Sequence, residues 1–496
     1  MGKWALFLIS GGLLCLAFPD FQLFPLAWVG LVPLFEGLSR PLSRREQLAG
    51  HFLFSLAYFG GILYWIPGVL IHYGRLPVFV GYAALVCLAV VLGLILLPFT
   101  LGIHWLAQRR LEAAVWAAPG LWLLTELIRD AFPFGGFPWG ALGYSQQPFT
   151  WILQIADLGG VYLVSSLIVL VNATLWLAWR KRRQSGPTVA ATAGLFVLAC
   201  LYGCYRAEIW EQQPVDTVRV GIVQGNIALH EGPQHYAQKY FKTLAGLFDQ
   251  AVAAGATWIV FPEAQNPYRL EYDFYFRQFW SDRTAATGTY LLLNSAAVEA
   301  DGYYNSAYLL DPAGRIVYRY DKIHLVPFGE YLPLEWLFGR AEALVAEVSS
   351  FRPGRKLTLG KIGTLRFSTL ICYEAIFPRQ ARRMVGEGAH VLVNITNDGW
   401  FGATAAPAQH LQIAAVRAVE TRRPLIRAAN TGCSAFVSPL GKIEVRSDLF
   451  EEAVLVRDVA GTSSVTLFLV LGFAPCALVI MVSGGLGLLA ARRVRD

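Results

Sequence analysis

The sequence predicts a polytopic α-helical membrane domain of about eight transmembrane helices joined to one mixed α/β domain. Hydrophobic residues make up 55% of the 496 residues and charged residues only 15%, whereas soluble domains have roughly 45–50% and 25%. The long apolar runs lie at the two ends of the chain, and a polar region separates them. Within that region short apolar runs alternate with amphipathic stretches, which indicates layered strands and helices.

The apolar runs define the membrane part. A helix that spans a bilayer needs about 20 mostly apolar residues. The first run is as short as a signal peptide, but it lacks a polar cleavage region and continues almost directly into the second, so we interpret it as retained. The candidate spans are residues 3–19, 21–38, 48–70, 77–106, 111–128, 158–179, 187–205 and 464–490.

These spans divide the chain into three parts. We predict a transmembrane domain of about seven helices at 1–205, a soluble domain at 206–463, and a C-terminal transmembrane helix with a basic tail at 464–496.

Basic residues between the spans predict the orientation. If the N-terminus is cytoplasmic, the inner segments carry 13 Lys and Arg residues, whereas the outer segments carry Arg75 and Arg129. Cytoplasmic loops are enriched in basic residues, so a bias of this size favours that orientation. After seven crossings the soluble domain emerges on the outer, periplasmic face of the cytoplasmic (inner) membrane.

The formal charge of +7 does not indicate nucleic-acid binding. Residues 205–463 contain 26 Lys and Arg and 26 Asp and Glu, so the excess lies entirely in the membrane part. A nucleic-acid partner would need a basic face on the soluble part. Five of the seven cysteines lie in apolar runs, and only Cys372 and Cys433 belong to the polar region, which excludes a disulfide scaffold and leaves a single bridge open.

The polar region gives a consistent α/β pattern. We predict helices near 234–253, 271–286, 378–387 and 407–421. The predicted strands cover 218–223, 257–261, 290–294, 364–371, 390–395 and 424–428, with a hairpin turn at 311–314.

Three polar residues follow predicted strands, where α/β domains place their chemistry. They are Glu263, Lys322 and Cys372. Each alone has an ordinary structural explanation: a helix-cap partner, a surface charge and a packed thiol. Together they supply a base, a cation and a thiol, which is what a cysteine nucleophile requires. The sequence shows no metal-ligand spacing and no phosphate-binding loop, so we predict neither a metal nor another cofactor.

This set resembles the nitrilase, or carbon–nitrogen hydrolase, superfamily, whose catalytic residues are Glu, Lys and Cys in that order. Further motifs are similar to the apolipoprotein N-acyltransferase family, and the resemblance covers essentially the whole chain. It implies that the soluble domain is a nitrilase-like αββα sandwich. One departure is that Ile227 to Tyr236 contains no Trp where family members commonly have one. The matching motifs are Val223–Asn226, Asp321–Pro333, Cys372–Glu374, Asn397–Gly402, Asn430–Gly432 and the membrane loop Phe134–Gln147.

The resemblance implies an acyltransferase of lipoprotein maturation. A fatty acyl chain would pass from a phospholipid, expected to be phosphatidylethanolamine, to Cys372 as a thioester. It would then pass to the N-terminal amine of diacylglyceryl-cysteine in an apolipoprotein. Glu263 would act as base, and Lys322, with a backbone N–H near Tyr373, would stabilise the oxyanion.

Other residues in these motifs are expected to support the site. Glu330 and Glu374 either hold Lys322 and the loops by ion pairs or transfer protons directly, and the sequence leaves both roles open. Asn305 and Asn397 are candidates for positioning. Trp400 and Phe401 are expected to guide acyl chains, although aromatic residues near membranes also serve as anchors.

Two alternatives stay open from the sequence. A membrane-tethered amidase or hydrolase of the same superfamily would pass the acyl group to water. A transporter or channel with an outer binding module is less consistent with the few charges and the lack of repeated broken helices in the apolar runs.

Overall fold

The computed structural model describes residues 2–208, 214–228, 233–263, 268–333 and 351–492, and for 233–238 only the backbone. The chain forms two compact units. The first contains Met1–Pro67, Pro77–Trp210 and Thr466–Asp496, and the second contains Gly68–Leu76 and Glu211–Val465. The stretch 227–236, which lacks the family's Trp, lies partly outside the described residues.

The first unit is helical because its sequence is apolar and backbone groups in lipid must be satisfied internally. A 3₁₀ turn at Phe24–Trp28 and a π-helical turn at Leu56–Gly60 interrupt its early helices. The helices are α1 Lys3–Leu16, α2 Val32–Leu38, α3 Arg44–Ser55, α4 Ile66–His72 (which ends in the second unit), α5 Val78–Ala107, α6 Leu111–Arg129, α7 Thr150–Leu153, α8 Ala156–Gly159, α9 Val161–Arg180 and α10 Gly186–Glu208.

Among the described residues, five helices are long and apolar enough to span a membrane: α5, α6, α9, α10 and the C-terminal helix Ala474–Arg492. The protein is therefore a multi-pass membrane protein, as predicted. The predicted spans 3–19 and 21–38 correspond to shorter apolar helices. The span 48–70 is divided among α3, the π-helical turn and α4. The count of eight stays a prediction.

Within the residues that the structure describes, the second unit contains two mixed sheets of six strands each. The first sheet has the order β12-β1-β2-β3-β4-β5, in which β1, β2 and β3 are parallel. The second has the order β11-β10-β9-β8-β7-β6, in which β7, β8 and β9 are parallel. The strands are β1 Pro214–Gln224, β2 Trp258–Val260, β3 Tyr290–Glu299, β4 Gly302–Leu310, β5 Ile316–Asp321, β6 Gly360–Ile362, β7 Leu365–Ile371, β8 Val391–Thr396, β9 Leu425–Ala429, β10 Ala435–Val437, β11 Ile443–Arg446 and β12 Ala453–Thr462.

Helices cover the outer faces of these sheets. Helices α11 (Pro233–Ala253) and α12 (Phe274–Thr287) bury Phe248 and Trp280 in one core with strands of the first sheet. Helices α13 (Pro378–Gly386) and α14 (Ala406–Thr421) pack against the second sheet. Helix α14 is buried along nearly its whole length. Two further helices, α15 (Leu467–Leu471) and α16 (Ala474–Arg492), belong to the first unit.

The two sheets pack face to face. The rings of Trp258 in β2 and Phe367 in β7 lie 4.8 Å apart, and those of Tyr318 in β5 and Phe367 lie 5.1 Å apart. The Tyr318 hydroxyl also donates to Thr369 Oγ1 at 3.2 Å. The predicted αββα sandwich is therefore confirmed. The sequence had not indicated the short strands β10 and β11 or the long final strand β12.

Candidate active site

The fold brings Glu263, Lys322 and Cys372 together. Each follows the end of a strand: β2, β5 and β7 respectively. Lys322 Nζ lies 3.7 Å from Glu263 Oε1, and both side chains lie close enough to the Cys372 thiol to shift its pKa in opposite directions. Glu263 and Lys322 follow strands of the first sheet, and Cys372 follows a strand of the second. The cluster therefore forms where strand ends of the two sheets meet.

Glu330 supplies a second carboxylate to the cluster. Its oxygens lie 2.9 Å from Lys322 Nζ, and one of them accepts the backbone N–H of Val326 at 2.8 Å. Lys322 is 1% exposed and therefore depends on these carboxylates, since a buried ammonium group needs paired charge. Glu330 thus holds Lys322 in place.

Two asparagine residues hold the candidate base, Glu263, in place by hydrogen bonds. Asn305 Nδ2 donates to Glu263 Oε1 at 2.8 Å and to Glu330 Oε1 at 3.0 Å. The side-chain oxygen Oδ1 of Asn305 in turn accepts a hydrogen bond from Asn294 Nδ2 at 2.8 Å. The backbone N–H of Asn397 donates to Glu263 Oε2 at 3.1 Å. Asn305 and Asn397 therefore both contact Glu263, whereas Asn294 was not among the residues that the sequence indicated.

Burial and charge shift the pKa of each member of the cluster. Burial raises the pKa of Glu263 above its ordinary value; Lys322 opposes this shift and Glu330 adds to it. Burial also raises the pKa of Cys372, and the charge of Glu263 raises it further. Burial alone would lower the pKa of Lys322, but Glu330 and Glu263 outweigh it and raise that pKa. Because its pKa is raised, the Cys372 thiol keeps its proton at neutral pH.

Cys372 has an unusual backbone conformation. It begins the 3₁₀ turn Cys372–Ile376 directly after β7, and its φ is +54°. A residue with a Cβ pays on the order of 1–3 kcal/mol for such a conformation. The carbonyl oxygen of Cys372 accepts from His410 Nε2 at 3.2 Å and from Asn394 Nδ2 at 3.4 Å. These buried contacts hold the thiol at the sharp turn between strand and helix.

A buried charged network that no sequence motif had indicated lies behind Cys372. Asp398 contacts His410 Nδ1 at 3.0 Å and Arg427 Nη2 at 2.6 Å, and Arg427 also binds Asn394. Burial opposes ionisation of Asp398, but Arg427 and His410 outweigh it and lower its pKa to about 2. The available signal was an arginine inside the apolar strand β9, because a buried arginine requires a carboxylate partner.

Glu374 and Tyr373 surround the turn rather than the reacting atoms. Glu374 is fully buried, and its carboxylate accepts the N–H groups of Ile371 at 2.8 Å, Ile323 at 2.7 Å and His324 at 3.1 Å. It therefore braces the segment after Lys322 against the turn of Cys372. The ring of Tyr373 packs edge-on against Phe377 at 5.1 Å.

The aromatic candidates lie on the 3₁₀ turn Asp398–Phe401. Trp400 is partly exposed and packs edge-on against Tyr73 at 5.0 Å. The Tyr73 hydroxyl donates to the Gly399 carbonyl at 2.6 Å. Phe401 lies edge-on to His410 at 6.3 Å. The segment Gly68–Leu76 therefore packs against the turn that carries Trp400, a contact that sequence spacing cannot reveal.

Comparisons with known proteins agree with this architecture. The model for the apolipoprotein N-acyltransferase N-terminal domain matches residues 10–174, and the carbon-nitrogen hydrolase model matches 219–464. The apolipoprotein N-acyltransferase of Geobacter metallireducens is 36% identical over 91% of this chain and 88% of its own. That of Nitrosomonas europaea is 31% identical over 96% of this chain and 95% of its own.

A solved structure is also similar to part of the chain. An amidase from Nesterenkonia sp. aligns with 50% of this chain and 91% of its own, at 22% identity and a TM-score of 0.39.

The sheets of the second unit and its family match define the class: a carbon–nitrogen hydrolase domain in a chain with membrane-spanning helices. The chain belongs to the apolipoprotein N-acyltransferase family. The family resemblance seen in the sequence is thereby confirmed, and the protein is an acyltransferase.

Proposed function

We propose that this protein transfers a fatty acyl chain from a phospholipid, phosphatidylethanolamine, to the α-amino group of the diacylglyceryl-cysteine of apolipoproteins, through a thioester on Cys372. Family membership over nearly the whole chain supports the lipoprotein substrate. The observation that supports the mechanism is a buried thiol within the electrostatic reach of a carboxylate that lies 3.7 Å from a buried lysine.

In the first step Glu263 accepts the proton of the Cys372 thiol as the sulfur attacks the ester carbonyl of the phospholipid. The negative charge that develops on the carbonyl oxygen is stabilised by Lys322. The ester C–O bond then breaks, and Glu263 returns the proton to the leaving alkoxide. The lysophospholipid departs and the acyl group remains on sulfur.

In the second step the lipoprotein amine attacks the thioester. Glu263 accepts a proton from the attacking nitrogen, the C–S bond breaks and the thiol is restored by protonation. An amide has then formed in place of a thioester. Survival of the thioester between the steps requires that water be excluded.

Glu330 acts in this scheme by positioning Lys322. Its contacts with Lys322 Nζ, Asn305 and the Val326 amide use the carboxylate as a fixed acceptor. A direct proton transfer by Glu330 would break these contacts.

We place the second unit on the periplasmic face of the inner membrane. The support is the distribution of 13 basic residues in inner segments against two in outer segments. Reporter fusions within 206–463, or protease treatment of spheroplasts, test this orientation. Protection of the unit from protease in spheroplasts with an intact membrane would contradict it.

The acyl-enzyme provides the central test. Full-length protein incubated with phospholipid alone should acquire a hydroxylamine-labile acyl group on Cys372. Cys372→Ala should acquire none, and Glu263→Ala should be slowed by about 10²–10⁴-fold, the usual contribution of a general base. Adding a diacylated lipopeptide should discharge the thioester into an amide. Release of free fatty acid with no amide would instead indicate a hydrolase, and full activity of Cys372→Ala would refute the mechanism.

A further inference from the structure

A groove in the first unit carries polar groups that the proposed reaction does not use. Its volume is about 470 Å³, and it lies at the C-terminal end of α5, next to the beginning of α3. Gln47 contributes from α3, and Leu101, His104 and Trp105 contribute from α5. Arg109, two residues beyond α5, completes the wall. The groove therefore has an apolar side and a polar, cationic side.

The cation in this groove is held in place by an aromatic ring. The guanidinium carbon of Arg109 lies 3.6 Å from the centre of the Trp105 ring, and Nη1 donates to the Trp105 carbonyl at 3.2 Å. Cation–π stacking leaves the remaining N–H groups of a guanidinium directed outward in its plane. Arg109 is exposed, so these N–H groups are available to an anion such as a phosphate.

A second polar group in the groove has no hydrogen-bond partner among the described residues. The Gln47 residue is 7% exposed, and its carboxamide lines the groove without a hydrogen bond to any of them. The neighbouring Gln108 differs, because its amide donates to the carbonyls of Ser39 and Arg40 at 3.1 Å each.

His104 supplies a group of a different kind. Its Nδ1 lies 2.8 Å from the Leu38 carbonyl, which can only accept, so Nδ1 carries the proton. In a neutral ring Nε2 then has a free lone pair, which accepts a hydrogen bond from a hydroxyl or ammonium group. A ligand whose anionic group binds beside Arg109 can therefore donate a hydrogen bond from a neighbouring group of its own to His104 Nε2.

We propose that this groove binds the headgroup of a glycerophospholipid. The phosphate contacts Arg109 and the Gln47 amide N–H, the headgroup hydroxyl or ammonium donates to His104, and an acyl chain runs along Leu101. Basic pockets between transmembrane helices bind lipid headgroups in this way. The apolar wall favours a lipid over a free phosphate. The site does not depend on the proposed reaction, and in the orientation proposed above it takes lipid from the inner leaflet.

Lipid binding to the full-length protein tests this proposal. After delipidation in detergent, the protein is titrated with phosphatidylglycerol and the bound lipid is counted by native mass spectrometry. Arg109→Gln and Gln47→Leu should each weaken the binding of one lipid by about tenfold, since a hydrogen bond to a charged group is typically worth that factor or more. Arg183→Gln removes the same charge from another exposed inner position and should leave that binding unchanged.

Two further binding measurements distinguish a phospholipid from the other possible ligands. Diacylglycerol, which lacks the phosphate, should not occupy the site, and millimolar inorganic phosphate should not displace the lipid. Equal binding of diacylglycerol, displacement by inorganic phosphate, or equal losses in Arg109→Gln and Arg183→Gln would each overturn the proposal. If Gln47→Leu does not fold, the exposed Arg109 variant still decides the outcome, with the thermal unfolding midpoint as the check on folding.

Discussion

The imidazole of His410 supports the backbone of Cys372 from behind, with Nε2 3.2 Å from the Cys372 carbonyl oxygen. This carbonyl can only accept, so Nε2 must carry the proton. Burial and the charge of Arg427 lower the pKa of His410, whereas Asp398, 3.0 Å from Nδ1, opposes that shift. The positive φ of Cys372 is thus supported by a buried side chain of α14.

The first prediction follows from this contact. His410→Ala should reduce kcat for thioester formation by about tenfold or more, since an unsatisfied buried carbonyl costs about 1–3 kcal/mol. KM for phospholipid should hardly change, because the substrate site is intact. His410→Gln, whose amide can still donate, should recover part of the rate. His390→Ala removes another buried histidine of this unit and should affect stability but not kcat; equal kcat losses in both alanine variants would contradict a positioning role.

The second prediction concerns the pH dependence. Glu263 must be ionised to accept a proton, and the negative charge of Glu330 contributes to its raised pKa. Activity therefore falls as the pH drops through that raised pKa. Glu330→Gln removes the contribution, so the acidic limb of kcat/KM for thioester formation should move to lower pH, even if the maximal rate falls. Glu299→Gln, at an exposed ion pair with Arg319, should not move it. A limb that stays or moves upward in Glu330→Gln would contradict this electrostatic coupling.

The third prediction concerns stability. Lys322→Met leaves Glu263 and Glu330 as neighbouring, largely buried carboxylates without a cation, and breaking a buried ion pair costs about 3–5 kcal/mol. The thermal unfolding midpoint should fall clearly at neutral pH. Adding Glu330→Gln to that variant should restore part of the midpoint but none of the activity. Lys361→Met, at an exposed position of β6, serves as the control. No recovery in the double variant would mean that the loss is not electrostatic.

The fourth prediction concerns the close approach of two loops. A Cβ on Gly432 would lie 2.3 Å from Asp398 Oδ2, an atom already held by Arg427. Gly432→Ala should therefore displace the Asp398 carboxylate, lower the unfolding midpoint and remove most of the activity. Gly246→Ala is the matched control, because nothing lies within 4 Å of its added Cβ in α11. Normal activity in Gly432→Ala would show that the network tolerates displacement of Asp398.

Local sequence patterns were sufficient to indicate the main candidate residues of the site. Glu263, Lys322 and Cys372 each follow an apolar run, and the ends of such strands meet in an α/β fold. The supporting network was not predictable in this way. Asn294 and Arg427 lie within buried strands, where only the pairing of strands and the packing of sheets determine what a polar side chain meets. Spacing along the chain contains no information about contacts between residues as distant as Tyr73 and Gly399.

The membrane part shows a similar limit. Composition identifies α5, α9 and α16 because each is one long apolar helix. The run 48–70 is also apolar overall, yet it contains the π-helical turn Leu56–Gly60. Hydropathy is averaged over a window of residues, so it does not show where the hydrogen-bond pattern of a helix changes.

The pairing of β12 with β1 also sets the order in which the first sheet can be completed during synthesis. From Thr217 to Gln224, β1 pairs in register with Ala460 to Ala453 of β12. Glu263, Lys322 and Cys372 have all been synthesised about 80 residues or more before β12 is available. A nascent chain can therefore contain every reacting group while the first sheet still has an open edge at β1. The first sheet is therefore completed only after all three candidate residues have been synthesised.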